Sequence, residues 1–179
     1  KSPETRKLLK KVAEMEHDGY SFESAEASFE LLMMQAVGTY QTRFEVTGFR
    51  VIVEKRGDTE PITEATIKVR VDGQERLTVA EGDGPVHALD SALRKALLEF
   101  FPEMAEIKLT DFKVRVVNVR EGTAARVRTI VTSTDGEETW STVGVSTNMI
   151  EASWHALSDG VLYGLLKSAL NREQTKIGE

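Results

Sequence analysis

The sequence of 179 residues contains no cysteine, only 4 prolines and no long apolar run. The lack of cysteine excludes disulfides, thiolate nucleophiles and zinc sites with cysteine ligands. No apolar run approaches the roughly 20 residues of a transmembrane helix, so we expect no membrane partner. A reducing cytoplasm fits this composition.

Positive charge is also scarce, because the net charge is −6 and the isoelectric point is about 5.3. The broad basic field of a nucleic-acid-binding surface is therefore absent. Hydrophobic residues make up 40% of the chain and charged residues 29%. This composition is typical of a globular chain that buries a core, and the length suits one domain or two small ones.

The first forty residues carry two apolar stripes at helical spacing. They comprise Leu8, Leu9, Val12 and Met15, then Phe22, Ala25, Phe29, Leu32 and Met33. A turn at 17–20 separates them, Ser2 and Ser21 are expected N-caps, and Gly38 ends the second stripe. The pattern predicts a helical hairpin over 3–37, in a helical linker subdomain comprising residues 1–40.

From about residue 44 the apolar residues alternate, which indicates strands. Asp72-Gly73 is a two-residue hairpin signal, and a third strand is expected over about 75–80. A helix then follows Gly82-Asp83-Gly84-Pro85 and ends near Phe101-Pro102. The order of elements is β-β-β-α.

The second half repeats this pattern. Thr47–Val51 aligns with Thr110–Val114 at an offset of 63, Asp72-Gly73 aligns with Asp135-Gly136 at the same offset, and Val86 aligns with Ile150 at 64. One inserted residue in the third strand would explain the change of offset. We predict an α+β fold in which the helical hairpin precedes two β-β-β-α repeats with antiparallel three-stranded sheets, related by a pseudo-two-fold axis. The repeats comprise 44–102 and 106–172, within a domain of residues 41–179.

The chain is also expected to form a symmetric dimer. One three-stranded sheet with one helix has little core of its own. The chain also has more large aromatic surface than two small sheets readily enclose. These residues are Phe101, Trp140, Trp154 and Tyr163.

No catalytic or metal-binding constellation is evident. His17, His87 and His155 are not spaced to share a helical face, which favours surface or capping roles over metal ligation. The glutamates of the second predicted helix, at positions 23, 26 and 30, fit a solvated face better than acid–base catalysis. We therefore expect neither a catalytic residue nor a metal site within this chain.

The Gly82–Gly84 loop has two interpretations. It is either a tight strand-to-helix connection or a loop whose free backbone N–H groups bind a carboxylate. The second copy has the capping residues Ser146, Thr147 and Asn148 instead of glycines. One copy could therefore bind a ligand while the other caps its own helix.

Three stretches resemble the isopropylmalate synthase/citramalate synthase family, and most closely its bacterial citramalate branch. They are Thr139–Leu157 with its two tryptophans, the loop Gly82–Val86, and Gly19–Leu32. The resemblance covers nearly the whole chain. It implies a linker followed by the C-terminal regulatory domain, which in this family dimerises and binds the end-product amino acid.

The resemblance also implies an enzyme in the full-length protein. The family condenses acetyl-CoA with a 2-oxo acid in a TIM barrel, which holds the divalent metal and binds acetyl-CoA. A barrel takes roughly 250 residues, so this chain is too short to hold one beside the repeats. No cofactor is expected in the chain itself. The expected partners are a second copy, the catalytic barrel of the same polypeptide and a branched-chain amino acid.

The predicted effector site combines both repeats near the dimer interface, as the resemblance implies. A helix N-terminus would hold the effector carboxylate, main-chain carbonyls or a nearby acid such as Asp83 would hold its ammonium, and apolar residues would surround its side chain. The predicted residues are Asp83, Gly84, Val86, His87, Leu109, Phe112, Val116 and Val127. Without the resemblance, plain core packing of Leu109, Phe112 and Val116 would be the simpler interpretation. Isoleucine is the expected feedback inhibitor; the alternatives are leucine, as in a 2-isopropylmalate synthase, or a dimerisation module without an effector.

Overall fold

The computed structural model describes residues 3–117 and 125–177, with side chains up to residue 172. Its α-helices are α1 (Pro3–His17), α2 (Glu26–Val37), α3 (Pro85–Leu97) and α4 (Met149–Ile177). Its strands are β1 (Glu45–Glu54), β2 (Ile62–Val71), β3 (Gln74–Gly82), β4 (Lys108–Val116), β5 (Val127–Thr134) and β6 (Thr139–Ser146). Short 3-10 helices cover Phe22–Ser24 and Pro102–Ala105. The predicted α+β order of a helical hairpin and two β-β-β-α repeats is confirmed.

These elements form two compact units. The repeat-one unit comprises Thr42–Ala105, and the repeat-two unit comprises Lys1–Gln41 with Glu106–Glu179. The helical hairpin α1–α2 thus belongs to the same unit as the second repeat. The predicted domain boundary between residues 40 and 41 stays a prediction.

The helical hairpin differs from its prediction at one cap. Ser21 was expected to cap the second helix, but it precedes the 3-10 helix at Phe22–Ser24 and makes no side-chain cap. The extra turn buries Phe22 and delays the start of α2 to Glu26. Gly38 ends α2 in a left-handed conformation (φ 73°), as predicted. The other expected cap, Ser2, lies outside the described residues.

In the repeat-one unit the strand order is β1-β2-β3, all antiparallel. Alternate residues of β2 pack against the apolar face of α3, and together they form a buried core: Ala65, Ile67, Val69, Val71, Ala88, Leu89, Leu93 and Leu97. Asp72 and Gly73 both have positive φ, which is the geometry of a two-residue hairpin turn. Helix α3 covers β2 and β3 and leaves most of β1 exposed.

The repeat-two unit repeats this architecture with the order β4-β5-β6. Helix α4 packs on β5 and β6. The described part of α4 makes no comparable contact with β4. A Cβ at Gly144 would lie 2.0 Å from the Ala152 carbonyl oxygen, so β6 approaches α4 this closely only because residue 144 is glycine. The second β-β-β-α repeat is thus closely packed on one side and open along β4.

The strand registers place the inserted residue differently from the prediction. Both first strands carry a bulge, at Val46/Gly48 and at Leu109/Asp111. Because Phe49 pairs with Ile67 and Phe112 with Val131, the offset already changes from 63 to 64 between the first and second strands. The prediction of an insertion in the third strand was therefore wrong.

The two Asp-Gly pairs misled that alignment. At the offset of 64, the pair Arg70–Glu75 corresponds to Thr134–Thr139, and each pair encloses four residues. Asp72-Gly73 occupies the second and third of these four positions, whereas Asp135-Gly136 occupies the first and second. In the second turn, the Asp135 carboxylate accepts the backbone N–H groups of the two residues before Thr139. The two Asp-Gly pairs thus lie at different positions in turns of equal length, which is why they align at 63 instead of 64.

The hairpin α1–α2 closes the outer edge of β6. The Ser141 N–H donates to Glu26 Oε1 at 3.0 Å, and the Val143 N–H donates to the buried Ser28 Oγ at 2.9 Å. Two residues further on, the Val145 backbone hydrogen-bonds the Tyr20 hydroxyl. Side chains of the hairpin therefore satisfy alternate backbone groups along an edge that would otherwise be free to pair.

Further contacts secure the hairpin. Arg128 Nε donates to the Gly19 carbonyl, and Arg126 forms an ion pair with Asp18 at 2.8 Å. The Tyr163 hydroxyl of α4 donates to Glu30 Oε2 at 2.7 Å. Glu26 and Glu30 are exposed, as a solvated face requires, but each also binds the second repeat.

The aromatic residues do not support the dimer as expected. Phe101, Trp140 and Trp154 are all buried within the single chain, and Trp140 Nε1 donates to the Gly160 carbonyl at 2.9 Å. The inference that a dimer is needed to cover these rings was wrong, because each unit encloses its own. The exposed apolar residues lie elsewhere.

We predict that Ser28→Ala lowers the free energy of unfolding by about 1–3 kcal/mol, because the buried Val143 N–H would lose its acceptor. Urea unfolding followed by circular dichroism measures this. The control is the exposed Ser24→Ala, for which a change within about 0.5 kcal/mol is expected. Equal effects of the two variants would contradict the edge contact.

Candidate functional site

The start of α3 has no side-chain cap. Gly84 is the N-cap residue in an extended conformation (φ −168°), and Pro85 occupies the first turn. Without a capping side chain, the backbone N–H groups of the first turn at Val86 and His87 remain directed at incoming acceptors. The positive end of the helix dipole lies at the same place, so the site suits a carboxylate.

The predicted loop residues gather at this helix start. The Asp83 backbone N–H donates to His87 Nδ1 at 3.2 Å, and Asp83 Oδ2 lies 3.2 Å from the same nitrogen. The Asp83 side chain is fully exposed, so a cation from solvent can reach its carboxylate. A Cβ at Gly84 would meet nothing within 4 Å, whereas one at Gly82 would lie 2.4 Å from the Ala88 nitrogen. Gly82 is therefore needed for packing, and Gly84 leaves open space.

The start of α4 is capped by its own side chains. Asn148 Oδ1 accepts the N–H groups of Ile150 and Glu151 at 2.9 and 3.2 Å. Ser146 Oγ accepts the Asn148 N–H and donates to the Glu151 carboxylate. The prediction that the second copy caps its helix is confirmed, and the two helix starts differ chemically as expected.

The predicted apolar residues lie on one face of the second sheet. Phe112 pairs with Val131, Val116 with Val127, and Leu109 with Ser133, so all four predicted residues face the side that carries α4. Because α4 lies over β5 and β6, Phe112 stays 47% exposed and Val116 50% exposed. The core-packing interpretation is therefore wrong for these two.

An unpredicted residue belongs to the same surface. Val114 lies between Phe112 and Val116 on that face and is 41% exposed. We call Phe112, Val114 and Val116 the β4 apolar strip. The eight predicted effector residues thus fall into two groups, one in each unit, and their combination into a single effector site stays a prediction.

The described residues form neither a metal-ligand cluster nor a membrane-spanning helix. Within 3–117 and 125–172, no three histidine, aspartate or glutamate side chains come together as metal ligands do. No described helix has the length and hydropathy to cross a membrane.

The repeat-two unit also contains a cavity of about 150 Å³ that the sequence did not indicate. It lies between the helical hairpin and the β6–α4 layer. Its lining residues are Met15, Tyr20, Phe22, Ser28, Leu31, Leu32, Gln35, Tyr40, Val143, His155, Ser158 and Asp159. We call this space the hairpin cavity.

Asp159 is the charged group of the hairpin cavity. It is largely buried, and burial raises the pKa of its carboxyl to about 7. Burial, with a contribution from Asp159, also raises the pKa values of Tyr20 and Tyr40. The sequence held no signal for this residue, because Asp159 lies about 200° around α4 from the buried Leu157 and Val161, on a side where a charged residue is ordinary. What could not be read from the sequence was that the hairpin covers it.

We predict that Asp159→Asn gains stability relative to the unchanged protein as pH rises. The raised pKa means that the folded protein keeps a proton which the unfolded chain loses above about pH 4, so unfolding becomes easier up to about pH 7. The difference in the free energy of unfolding between the variant and the parent should change by at least about 1 kcal/mol between pH 4 and 8.

Urea unfolding at several pH values measures this difference. Histidine ordinarily titrates in the same range, so the comparison is repeated in a His155→Gln background. A difference that stays constant from pH 4 to 8 would contradict a buried, unpaired carboxyl at this place.

Known proteins carry the same sequence pattern. Residues 23–165 match the family described as LeuA allosteric (dimerisation) domain. The chain is 54% identical over 169 residues to an (R)-citramalate synthase of Geobacter sulfurreducens, and 50% identical over 168 residues to one of Aquifex aeolicus. These matches cover 94% and 93% of the chain but 32% of each relative. A 2-isopropylmalate synthase of Shewanella frigidimarina is 31% identical over 55% of the chain and 17% of its own length.

The chain thus spans about a third of the length of the citramalate synthases it resembles. The matched residues include α2, both sheets, α3 and most of α4. This chain belongs to the LeuA allosteric (dimerisation) domain family.

Proposed function

We propose that this chain is the regulatory part of a citramalate synthase, which binds isoleucine as a feedback inhibitor and forms a homodimer. The observation that carries the proposal is the match of 94% of the chain to an (R)-citramalate synthase at 54% identity. The whole protein would be a cytoplasmic acyltransferase of isoleucine biosynthesis that condenses acetyl-CoA with pyruvate. A catalytic barrel in the same polypeptide would supply the divalent metal and bind the acetyl-CoA.

The start of α3 supports amino-acid binding. The backbone N–H groups of its uncapped first turn suit the effector carboxylate, and the exposed Asp83 carboxylate suits the ammonium. The capped start of α4 offers no such donors, so one effector site per chain is expected at the helix starts.

Regulation would follow from coupling between this site and the catalytic part. If isoleucine favours an inhibited arrangement, it lowers the affinity of the intact enzyme for acetyl-CoA. Acetyl-CoA then lowers the affinity for isoleucine by the same factor, because coupling free energies are reciprocal. The hairpin α1–α2 is the suitable transmitting element, since it is fastened to the second repeat along β6.

Leucine is the second candidate effector. The partial match to a 2-isopropylmalate synthase favours it. Moving one methyl group within an apolar pocket changes binding by only about 1–3 kcal/mol, so the two amino acids are best separated by direct titration. A dimerisation module without an effector would bind neither.

The β4 apolar strip supports the dimer. Three large apolar side chains in a row on an uncovered strand are typical of an interface. A second copy of the chain is the occupant that the dimerisation-domain family favours. Its docking would cover Phe112, Val114 and Val116, which α4 leaves exposed.

For the effector site we predict that Gly84→Asp weakens isoleucine binding at least about tenfold, because it places a negative charge beside the effector carboxylate. The variant should fold, since the position has open space and Asp is a favoured N-cap. Gly84→Ala adds no charge and should bind isoleucine nearly as the parent does.

Calorimetric titration of both variants and the parent with isoleucine and leucine measures this. Unchanged affinity in folded Gly84→Asp would show that the carboxylate binds elsewhere. No binding of either amino acid to the parent would leave only the dimerisation module.

For the interface we predict that Val114→Lys weakens dimerisation at least about tenfold, because a lysine ammonium would be buried at the centre of the β4 apolar strip. Sedimentation equilibrium reports the shift from twice the 19.9 kDa chain mass toward a single chain. The control is Leu9→Lys, which alters an equally exposed apolar residue on α1. Unchanged association of Val114→Lys would place the interface elsewhere.

A further inference from the structure

The hairpin cavity carries an inference separate from the effector site. All its lining residues belong to the repeat-two unit, so it involves neither Asp83 nor the start of α3. One wall comes from the helical hairpin and the residue Tyr40 that follows it, and the other from β6 and α4. A molecule bound there would touch both walls at once.

The cavity has an apolar part and a polar part. Met15, Phe22, Leu31, Leu32 and Val143 supply the apolar part. The polar part contains the Asp159 carboxylate together with hydroxyl, amide and imidazole groups: Tyr20, Ser28, Gln35, Tyr40, His155 and Ser158. Among the described residues, the lining includes one acidic residue and no lysine or arginine.

The Asp159 carboxylate lacks a positive partner. Among the described residues, no lysine, arginine or histidine forms a salt bridge with it. A buried carboxylate without a partner is unfavourable, and a cation in the cavity would remove that cost. The neighbouring hydroxyls of Tyr20 and Tyr40 can accept the remaining N–H groups of an ammonium.

The size of the cavity limits how much of a ligand it can bury, because the cavity opens to solvent beside the exposed Gln35 and His155. A cavity of about 150 Å³ holds a molecule of benzene size, which means about six non-hydrogen atoms. A zwitterionic amino acid fits poorly, because its carboxylate would enter a cavity in which no described lining residue is a lysine or arginine. A simple amine with a short aliphatic body satisfies both the charge and the apolar wall.

We propose that the hairpin cavity is a second binding site, which takes a small aliphatic primary ammonium ion with Asp159 as its counter-charge. Binding would strengthen the contact between the hairpin and the second repeat. It would therefore act on the same element that we propose to transmit the effector signal.

Among the described residues, few charged or titratable groups surround Asp159. Tyr20 and Tyr40 face it from the hairpin side, and both stay neutral near neutral pH because their pKa values are raised. His155 lies one turn earlier on α4 and also lines the cavity. At the surface, the charge of Asp18 raises the pKa of Tyr20 and the charge of Arg126 lowers it. Binding should accordingly be tighter at pH 8, where Asp159 is ionised, than at pH 6.

The probe is 2-methylbutylammonium, which has six non-hydrogen atoms, titrated into the full chain at pH 8 by calorimetry. We expect saturable binding that Asp159→Asn weakens at least tenfold and that falls at least threefold at pH 6 in the parent and in His155→Gln. The anion 2-methylbutanoate should not bind. The control Asp83→Asn removes an exposed carboxylate outside the cavity and should bind like the parent.

A second variant guards against misfolding of Asp159→Asn. Ser158→Leu keeps the carboxylate but fills the cavity from α4, and it should also abolish binding. No saturable binding of the amine to the parent at about 10 mM, equal binding by Asp159→Asn, or binding of the anion would each overturn the proposal.

The proposals for the effector site and for the hairpin cavity can be refuted independently of each other. Gly84→Asp should leave binding of 2-methylbutylammonium unchanged, and Asp159→Asn should leave binding of isoleucine unchanged. Loss of both ligands through either single variant, with the fold retained, would overturn the second site by showing that only one site exists.

Discussion

The outer edge of β6 is the constraint on which the repeat-two unit depends. An edge strand presents unpaired backbone groups that must be satisfied or covered. Here the side chains of Glu26, Ser28 and Tyr20 satisfy alternate residues of β6. This arrangement fixes the hairpin against the second repeat, encloses the hairpin cavity between them, and leaves β4 as the open side of the sheet.

The two repeats share a topology but differ in chemistry where each helix begins. Both first strands bulge at the same relative position, and both helices leave their first strand largely uncovered. Yet the Asn148 side chain accepts hydrogen bonds from the first-turn N–H groups of α4, whereas the N-cap residue of α3, Gly84, has no side chain to do so. A duplicated fold can therefore keep one helix start for stability and leave the other available to a ligand.

Periodicity and turn residues were sufficient to predict the order of elements, because they report local structure. They failed wherever pairing or distant contacts decide. The Asp-Gly pairs aligned although they occupy different positions in their turns, and the tryptophans proved to be buried within one chain. The hairpin cavity depends on contacts between residues about 115 positions apart, as between Ser28 and Val143, and no local pattern indicates these.

Amide hydrogen exchange along β6 tests the account most directly. The N–H groups of Ser141 and Val143 point to the hairpin, whereas that of Thr142, between them, points to β5. The account predicts that all three are protected in the parent protein, and that Ser28→Ala selectively speeds exchange at Val143 while Thr142 stays protected. Rapid exchange of Ser141 and Val143 in the parent would contradict it, because the hairpin would then not close this edge.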